Sequence, residues 1–424
     1  MIRRFFMNVI ILTKEYPPEV YGGAGVHVEN LSRELARRIP VEVRCFGRPR
    51  PSHPAPKLTV RAYRPPIYEA GDLGGKAAYA GVLETIAVDL AMVAGLEGAR
   101  LVHTHTWYTA LAGYMARLLY GIPHVLTAHS LEPLRPWKAE QLGPGGFALS
   151  AFCERVAVEA ADALIAVSSE MRADLLATYP GLRPERVEVI YNGIDPEEYR
   201  PDLGTDVLAA YGIDPATPYV LFVGRITRQK GILHLLDAAL HIDPKIALVL
   251  CAGAPDTKEM GREVAEKVSR VQEVRGGVIW IREMLTKREV IQLLSRARVF
   301  CCPSVYEPFG IVNLEAMACE TPVVAAAVGG VPEVVEDGIT GLLVPFEVSR
   351  RGGSGSFEPA HPERYAADLA ERIRLLLDDP VEARRLGRAG RQRVLERFTW
   401  SAVAERTLGL YRRLVDGVRS PSAH

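Results

Sequence analysis

Short, fully apolar runs set the rhythm of the chain: residues 8–13 (NVIILT), 101–103, 123–128 (PHVLTA), 163–167 (ALIAV) and 187–190. Runs of this length, rich in β-branched residues, read as strands buried on both faces of a parallel sheet. Segments of helical period lie between them, for example 110–120 and 147–161. After residues 199–204 (YRPDLG) the series begins again, with strands expected at 219–223 (YVLFV), 246–251 (IALVLC), 278–281, 299–302 and 322–325. Strands alternating with helices predict an α/β protein of two Rossmann-like domains, residues 1–199 and 200–399. The last stretch, 398–415, has helical period and carries Trp400 and Tyr411; a C-terminal helix over about 400–424 is expected to join the first domain. Residues 350–357 (RRGGSGSF) read as a surface loop. Open α/β sheets bind ligands beyond the carboxyl ends of their strands, so the site is expected in a cleft between the two.

Composition narrows the classes. Of 424 residues, 48% are hydrophobic and 24% charged, which suits a globular protein with sizeable cores. A formal net charge of +0 argues against a nucleic-acid partner. No apolar run reaches membrane-spanning length, so no membrane partner is expected. Six cysteines without metal-ligand spacing fit a reduced, cytoplasmic compartment. The basic, aromatic opening MIRRFF runs into a strand, not a cleavage site, and Met7 is an alternative start to Met1.

Three segments carry candidate chemistry. Residues 13–27 (TKEYPPEVYGGAGVH) lead from the first strand into a helix with Val26, Leu31 and Leu35 on its apolar face. Gly22 and Gly23 allow backbone amides close to an anion, or serve only the turn. Residues 223–231 (VGRITRQKG) put Arg225 and Lys230 at a strand end beside glycines. Such a pair suits a diphosphate, Arg as a fork and Lys as a mobile charge, or is a solvated basic turn. Residues 303–318 (PSVYEPFGIVNLEAMA) run from a strand through a Pro/Gly loop into a helix near Ile311. The amides of Phe309, Gly310, Ile311 and Val312 face what lies ahead of that helix. Glu307 and Glu315 would repel phosphate and suit hydroxyls; otherwise they are a turn residue and an exposed helix residue.

With Glu307-x7-Glu315, Arg225-x4-Lys230, Gly22-Gly23 and His129 in that arrangement, the chain resembles the retaining GT-B glycosyltransferases of family 4 over nearly its whole length. The resemblance implies two Rossmann-like domains with parallel sheets facing across an interdomain cleft. It implies that Arg225 and Lys230 neutralise a donor diphosphate, that Gly22 and Gly23 close on it, and that Glu315 holds the ribose. Glu307 and His129 are implied to contact the transferred sugar. Residues 328–333 (VGGVPE) and 337–344 (DGITGLLV) look like structural turns of the family. His103, Thr104, His105 and Trp107 lie at another strand end, where they either line the acceptor side or are ordinary core and rim packing. Residues 14–28, 105–113 and 129–138 are similar to the actinobacterial-type, α-glucan-forming members. That implies ADP-glucose as donor, and glucose 1-phosphate or an α-glucan as acceptor of an α-1,4 bond. Ordinary bacterial glycogen synthases carry K-T-G-G-L and an Asp before the Trp of H-x-H-D-W. Here residues 20–24 read VYGGA and position 106 is Thr, which favours the small phosphorylated acceptor, with Arg135 and Lys138 as candidate phosphate ligands.

No Asp-x-Asp pair occurs, so transfer without metal or other cofactor is expected, with cationic side chains facing the diphosphate instead. A homodimer stays open. Two competing readings share the fold: a sugar-nucleotide epimerase, and a sugar-nucleotide-binding protein without turnover.

Overall fold

A computed structural model describes residues 7–49, 55–65, 78–253, 255–349 and 357–417. The expected loop at 350–357, apart from Phe357, and the opening residues 1–6 lie outside the described residues. The chain divides into two compact units, residues 1–192 with 400–424, and residues 193–399. The change-over thus falls at Gly193, earlier than residue 200. The segment after it belongs to the second unit, where Ile194 bridges Thr399 and Arg391 donates to the Tyr199 carbonyl.

In the first unit, seven strands form one sheet: β1 (Val9–Thr13), β2 (Val41–Phe46), β3 (Leu58–Tyr63), β4 (Leu101–His105), β5 (His124–Ala128), β6 (Ala163–Ala166) and β7 (Val187–Val189). Their order is β3-β2-β1-β4-β5-β6-β7, and every pairing is parallel. Alternation along the strands makes two cores. Val9 and Ile11 face the helices Gly23–Ala36 and Trp400–Gly417. Ile10 and Leu12 face Ala80–Val93 and Trp107–Tyr120.

The second unit repeats the scheme with β8 (Tyr219–Arg225), β9 (Ala247–Gly253), β10 (Val278–Ile281), β11 (Val299–Cys302), β12 (Val323–Ala326) and β13 (Gly341–Val344). The order is β10-β9-β8-β11-β12-β13, again all parallel. Two helices of strong amphipathic pattern, Lys258–Val274 and Pro362–Asp378, bury Val264, Val268, Leu369 and Ile373 against this sheet. All six cysteines are free and buried. No helix among the described residues is long and apolar enough to cross a membrane.

Each sheet has one place where its order reverses. The chain goes outward from β1 to β2, then returns to lay β4 on the other side of β1; β8 stands in the same relation to β9 and β11. Such reversals open a crevice at the carboxyl ends of the two central strands.

Candidate functional site

The four central strands end at the predicted residues. Arg225 is the last residue of β8, and β11 runs directly into the loop that carries Glu307. Gly231, φ 64°, then brings the Lys230 turn against that loop: a Cβ there would stand 2.0 Å from the Pro303 carbonyl oxygen. Gly329 supports the loop from behind, since its Cβ would fall 2.2 Å from the Glu307 carbonyl oxygen, which accepts the Gly330 amide at 3.0 Å. Residues 328–333 are thus the turn that fixes the Glu307 backbone.

Lys230 and Glu307 come together. Lys230 Nζ donates to Glu307 Oε2 at 2.6 Å, and Ser304 Oγ donates to the same oxygen at 3.1 Å. Burial is the largest single influence and works against the Lys230 charge, but Glu307 and Cys302 together outweigh it and the ammonium is held above its usual range. Arg225 is engaged separately, donating to Asp256 Oδ1 at 2.9 Å. Each cation expected at a diphosphate is therefore matched here by a carboxylate.

Glu315 sits in the helix Ile311–Ala318, which starts after Gly310, φ 92°. It is not an exposed helix residue: Tyr199 Oη donates to its Oε1 at 3.1 Å. Burial pushes its carboxyl up to about 7, with the Tyr199 hydrogen bond pulling the other way. Phe309 is buried. Asn313, one turn along the helix, is fully buried with neither side-chain polar atom partnered among the described residues. Sequence reasoning passed over Asn313, Tyr199 and Asp256. Asn313 carried a signal, a short amide within an otherwise apolar stretch; the other two are brought in by the fold.

In the first unit the glycine loop is also matched by a carboxylate. Glu15 Oε2 accepts the amides of Tyr21 at 3.0 Å and of Gly22 at 2.8 Å, ahead of the helix that opens at Gly23. Its position, one residue past Lys14 in the loop, gave no hint of that role. A hollow of about 450 Å³ opens beside the loop, lined in part by Lys14, Val20, Tyr21 and Phe46.

His129 does not stand alone at its strand end. His103 and His105 alternate onto the sheet face covered by the C-terminal helix, and His27 projects from the helix Gly23–Ala36. His105 Nδ1 and His129 Nε2 are 3.1 Å apart. The His27 ring centroid lies 5.2 Å from that of His105 and 4.7 Å from that of His129. His103 is held at both nitrogens, by Tyr411 Oη at 2.6 Å and Thr127 Oγ1 at 2.7 Å. His27 Nδ1 faces Asn192 Oδ1 at 2.6 Å. Burial first, then neighbouring imidazoles, hold His103, His105 and His129 well below the usual range; burial takes His27 to about 4. All four rings are neutral at pH 7. Among the described residues, one set of His, Cys, Asp or Glu could share a cation: His27, His105 and His129, with one nitrogen of each within 4.8 Å of the others. His27 was not singled out in the sequence, because a lone His on a helix is ordinary until the fold supplies its neighbours.

The proposed acceptor-side residues are more enclosed than their sequence context implies. Trp107 is buried, with its ring 4.3 Å from Tyr108. Arg135 donates to Ser130 Oγ at 3.2 Å and reaches the buried Glu132 at 3.5 Å. Lys138, buried, donates to Gln141 Oε1 at 2.7 Å.

Doubly wound parallel sheets, a cation pair and an E-x7-E loop at one reversal, and a glycine loop at the other define a GT-B glycosyltransferase. The pattern described as "Glycosyltransferase Family 4" matches residues 21–198, and that described as "Glycosyl transferases group 1" matches residues 206–351. The chain is 53% identical over 417 residues to an alpha-maltose-1-phosphate synthase of Mycolicibacterium smegmatis, covering 96% of this chain and 100% of that one. It is 32% identical to a glycogen synthase of Mycobacterium tuberculosis, covering 98% and 97%. Among solved structures, sucrose-phosphate synthase from Thermosynechococcus elongatus superposes with a TM-score of 0.77 at 27% identity, covering 97% of this chain and 100% of that one. The chain belongs to the family 4 glycosyltransferases, and it is a hexosyltransferase.

Proposed function

We propose that the protein is a retaining α-1,4-glucosyltransferase that moves glucose from ADP-glucose to glucose 1-phosphate, forming maltose 1-phosphate in α-glucan synthesis. The observation that carries the reaction class is the pairing of Lys230 with Glu307 beside Arg225 at the reversal of the second sheet. The acceptor rests on the relatives: 53% identity to a maltose-1-phosphate synthase against 32% to a glycogen synthase, together with Thr106 and the VYGGA loop.

In this reading the diphosphate takes over Arg225 and Lys230 from their carboxylates. Glu307, released, accepts hydroxyls of the donor sugar, Glu315 accepts ribose hydroxyls, and His129 contacts the transferred glucose. The amides at Gly22 and Gly23 serve the diphosphate once Glu15 yields them. The anomeric carbon loses its bond to the diphosphate oxygen and gains one to the acceptor 4-hydroxyl oxygen on the same face. The hydroxyl proton passes to the departing diphosphate, whose charge the two cations stabilise. Arg135, whose buried Nε has no partner among the described residues, and Lys138 would hold the acceptor phosphate. No step needs a metal, and six free thiols accord with a reducing, cytoplasmic setting.

The test is a donor-by-acceptor assay in EDTA, offering ADP-glucose or UDP-glucose with glucose 1-phosphate or with glycogen. ADP release that depends on glucose 1-phosphate, with a phosphorylated disaccharide as product, is expected. Release only with glycogen would replace this reading with polymer elongation, the activity that the glycogen synthase relative favours. Release that requires added metal would overturn the cationic mechanism.

A further inference from the structure

The four-imidazole cluster contains more nitrogen than a sugar contact at His129 uses. His27 Nε2 is fully buried and without a hydrogen-bond partner among the described residues. Such an atom in a native interior calls for an explanation, a bound ion being one. Around it the geometry is that of a ligand set. His27 Nδ1 is committed to the side-chain oxygen of Asn192 at 2.6 Å; a carbonyl oxygen only accepts, so the ring proton is on Nδ1 and the Nε2 lone pair is free. Metal-binding histidines are fixed in this way, by an oxygen acceptor on the other nitrogen. A zinc ion with Zn–N bonds of about 2.0–2.1 Å in tetrahedral array keeps its nitrogens about 3.3 Å apart. His105 Nδ1 and His129 Nε2 already stand 3.1 Å apart. His27 has to close by up to about 1.5 Å from within 4.8 Å to reach that spacing, a side-chain rotation rather than a backbone movement.

We propose that His27, His105 and His129 form a three-imidazole site for a borderline-soft divalent ion of the zinc class, with a fourth position open on the His129 side. Imidazole nitrogen selects zinc, cobalt, nickel or copper over magnesium and calcium, which demand oxygen. Entry is from His129, the one of the three that is not fully buried. The proton shared between His105 and His129 moves to another ring nitrogen or is released, as metal binding to imidazole requires. His103, with both nitrogens occupied by Tyr411 and Thr127, is packing and not a ligand. The proposed function leaves the diphosphate to Arg225 and Lys230, so the ion is given no part in the transfer itself. Occupation of the site removes His129 from the sugar and inhibits transfer; these two statements alone rest on the function proposed above.

The test uses the untagged full chain, stripped with EDTA and titrated with Co²⁺, read by visible absorption and calorimetry. One ion per chain is expected, with the intense bands of four-coordinate cobalt, displaced by Zn²⁺ and untouched by Mg²⁺. His27→Gln and His105→Gln should each weaken binding at least ~100-fold, and Asn192→Ala by about 10–100-fold through loss of ring orientation. His103→Gln should keep the bands, and far-UV circular dichroism separates lost ligands from lost fold. Wild-type protein that shows no saturable one-to-one binding, or bands that survive in folded His27→Gln and His105→Gln, would overturn the site. Cobalt bands without zinc inhibition of turnover would leave the site standing and remove His129 from the sugar; a chain with no turnover still reports on the site.

Discussion

A carboxylate that is to accept sugar hydroxyls has to be ionised, and Glu315 is held close to its balance point. Burial raises it to about 7, against the hydrogen bond from Tyr199. The ionised fraction then rises about tenfold from pH 6 to pH 8, by the ordinary titration relation. The apparent KM for ADP-glucose should fall by a similar factor over that range, and Glu315→Gln should raise KM and flatten the profile. A wild-type donor KM that is level from pH 6 to 8 would remove Glu315 from the ribose. The same shift has a stability sign: the folded state holds this proton more tightly than the unfolded chain. Glu315 therefore lowers stability as pH rises from the ordinary carboxylate range to neutral. Arg225 and Lys230 stand out locally as charge beside glycine at a strand end, whereas Glu307 and Glu315 were singled out through the E-x7-E resemblance. Their partners were not: Asp256 comes in through the pairing of β9 with β8, and Tyr199 through the packing of a loop against the helix of Glu315, contacts that no local window contains. The matching of each element proposed to bind the diphosphate by a carboxylate, Glu15, Asp256 or Glu307, is likewise visible only in three dimensions.

Elements were readable in proportion to how completely they are buried. The central strands β1, β4, β5, β8 and β11 are buried on both faces over most of their length and were predicted within a residue or two. The strands β2 and β3 were not, because VEVRCF and LTVRAY carry polar residues that resemble a surface segment. Arg44 explains one of them: fully buried, it donates to the Ala94 and Gly95 carbonyls at 2.6 and 2.8 Å, so a charge stands in a core position. Strand β13 begins at Gly341 and was read as a turn. The helix expected at 147–161 extends back to Lys138 across a break at Gly143, φ 67°, because the GPGG stretch bends the element without ending it. The turn at Gly231 offers a direct measurement. A left-handed conformation costs a non-glycine residue about 1–2 kcal/mol, and the Cβ would also strike the Pro303 carbonyl. Gly231→Ala should lower the unfolding free energy by more than ~2 kcal/mol and raise the donor KM by displacing Lys230. Gly181→Ala, where a Cβ meets nothing within 4 Å, should change stability by less than about 0.5 kcal/mol. Equal denaturation midpoints for the two variants would refute the account of the turn.

At the scale of the molecule, the first unit is assembled from both ends of the sequence. Trp400, Leu408 and Tyr411, from the helix Trp400–Gly417, share a core with Val9, Ile11, Leu31 and Leu35. Tyr411 also holds His103, and Arg413 pairs with Glu188 of β7. Fully burying a large apolar side chain contributes about 1.5–3 kcal/mol. Removing this helix strips several such contributions, against a total stability on the order of 5–15 kcal/mol for a domain. Truncation after Thr399 should therefore unfold residues 1–192 as a body. Residues 193–399 have their own sheet and core and should survive. Limited proteolysis should leave a resistant fragment starting near residue 193, and far-UV circular dichroism should lose roughly half its signal. Tyr411→Phe, which removes only the hydroxyl on His103, should cost about 1–2 kcal/mol and leave both units folded. If the truncated chain were to resist protease over residues 1–192, the N-terminal sheet would not need the helix. The return of the chain to its starting unit would then be a surface attachment, and the burial of Trp400 and Tyr411 would have no bearing on why residues 400–417 are built as they are.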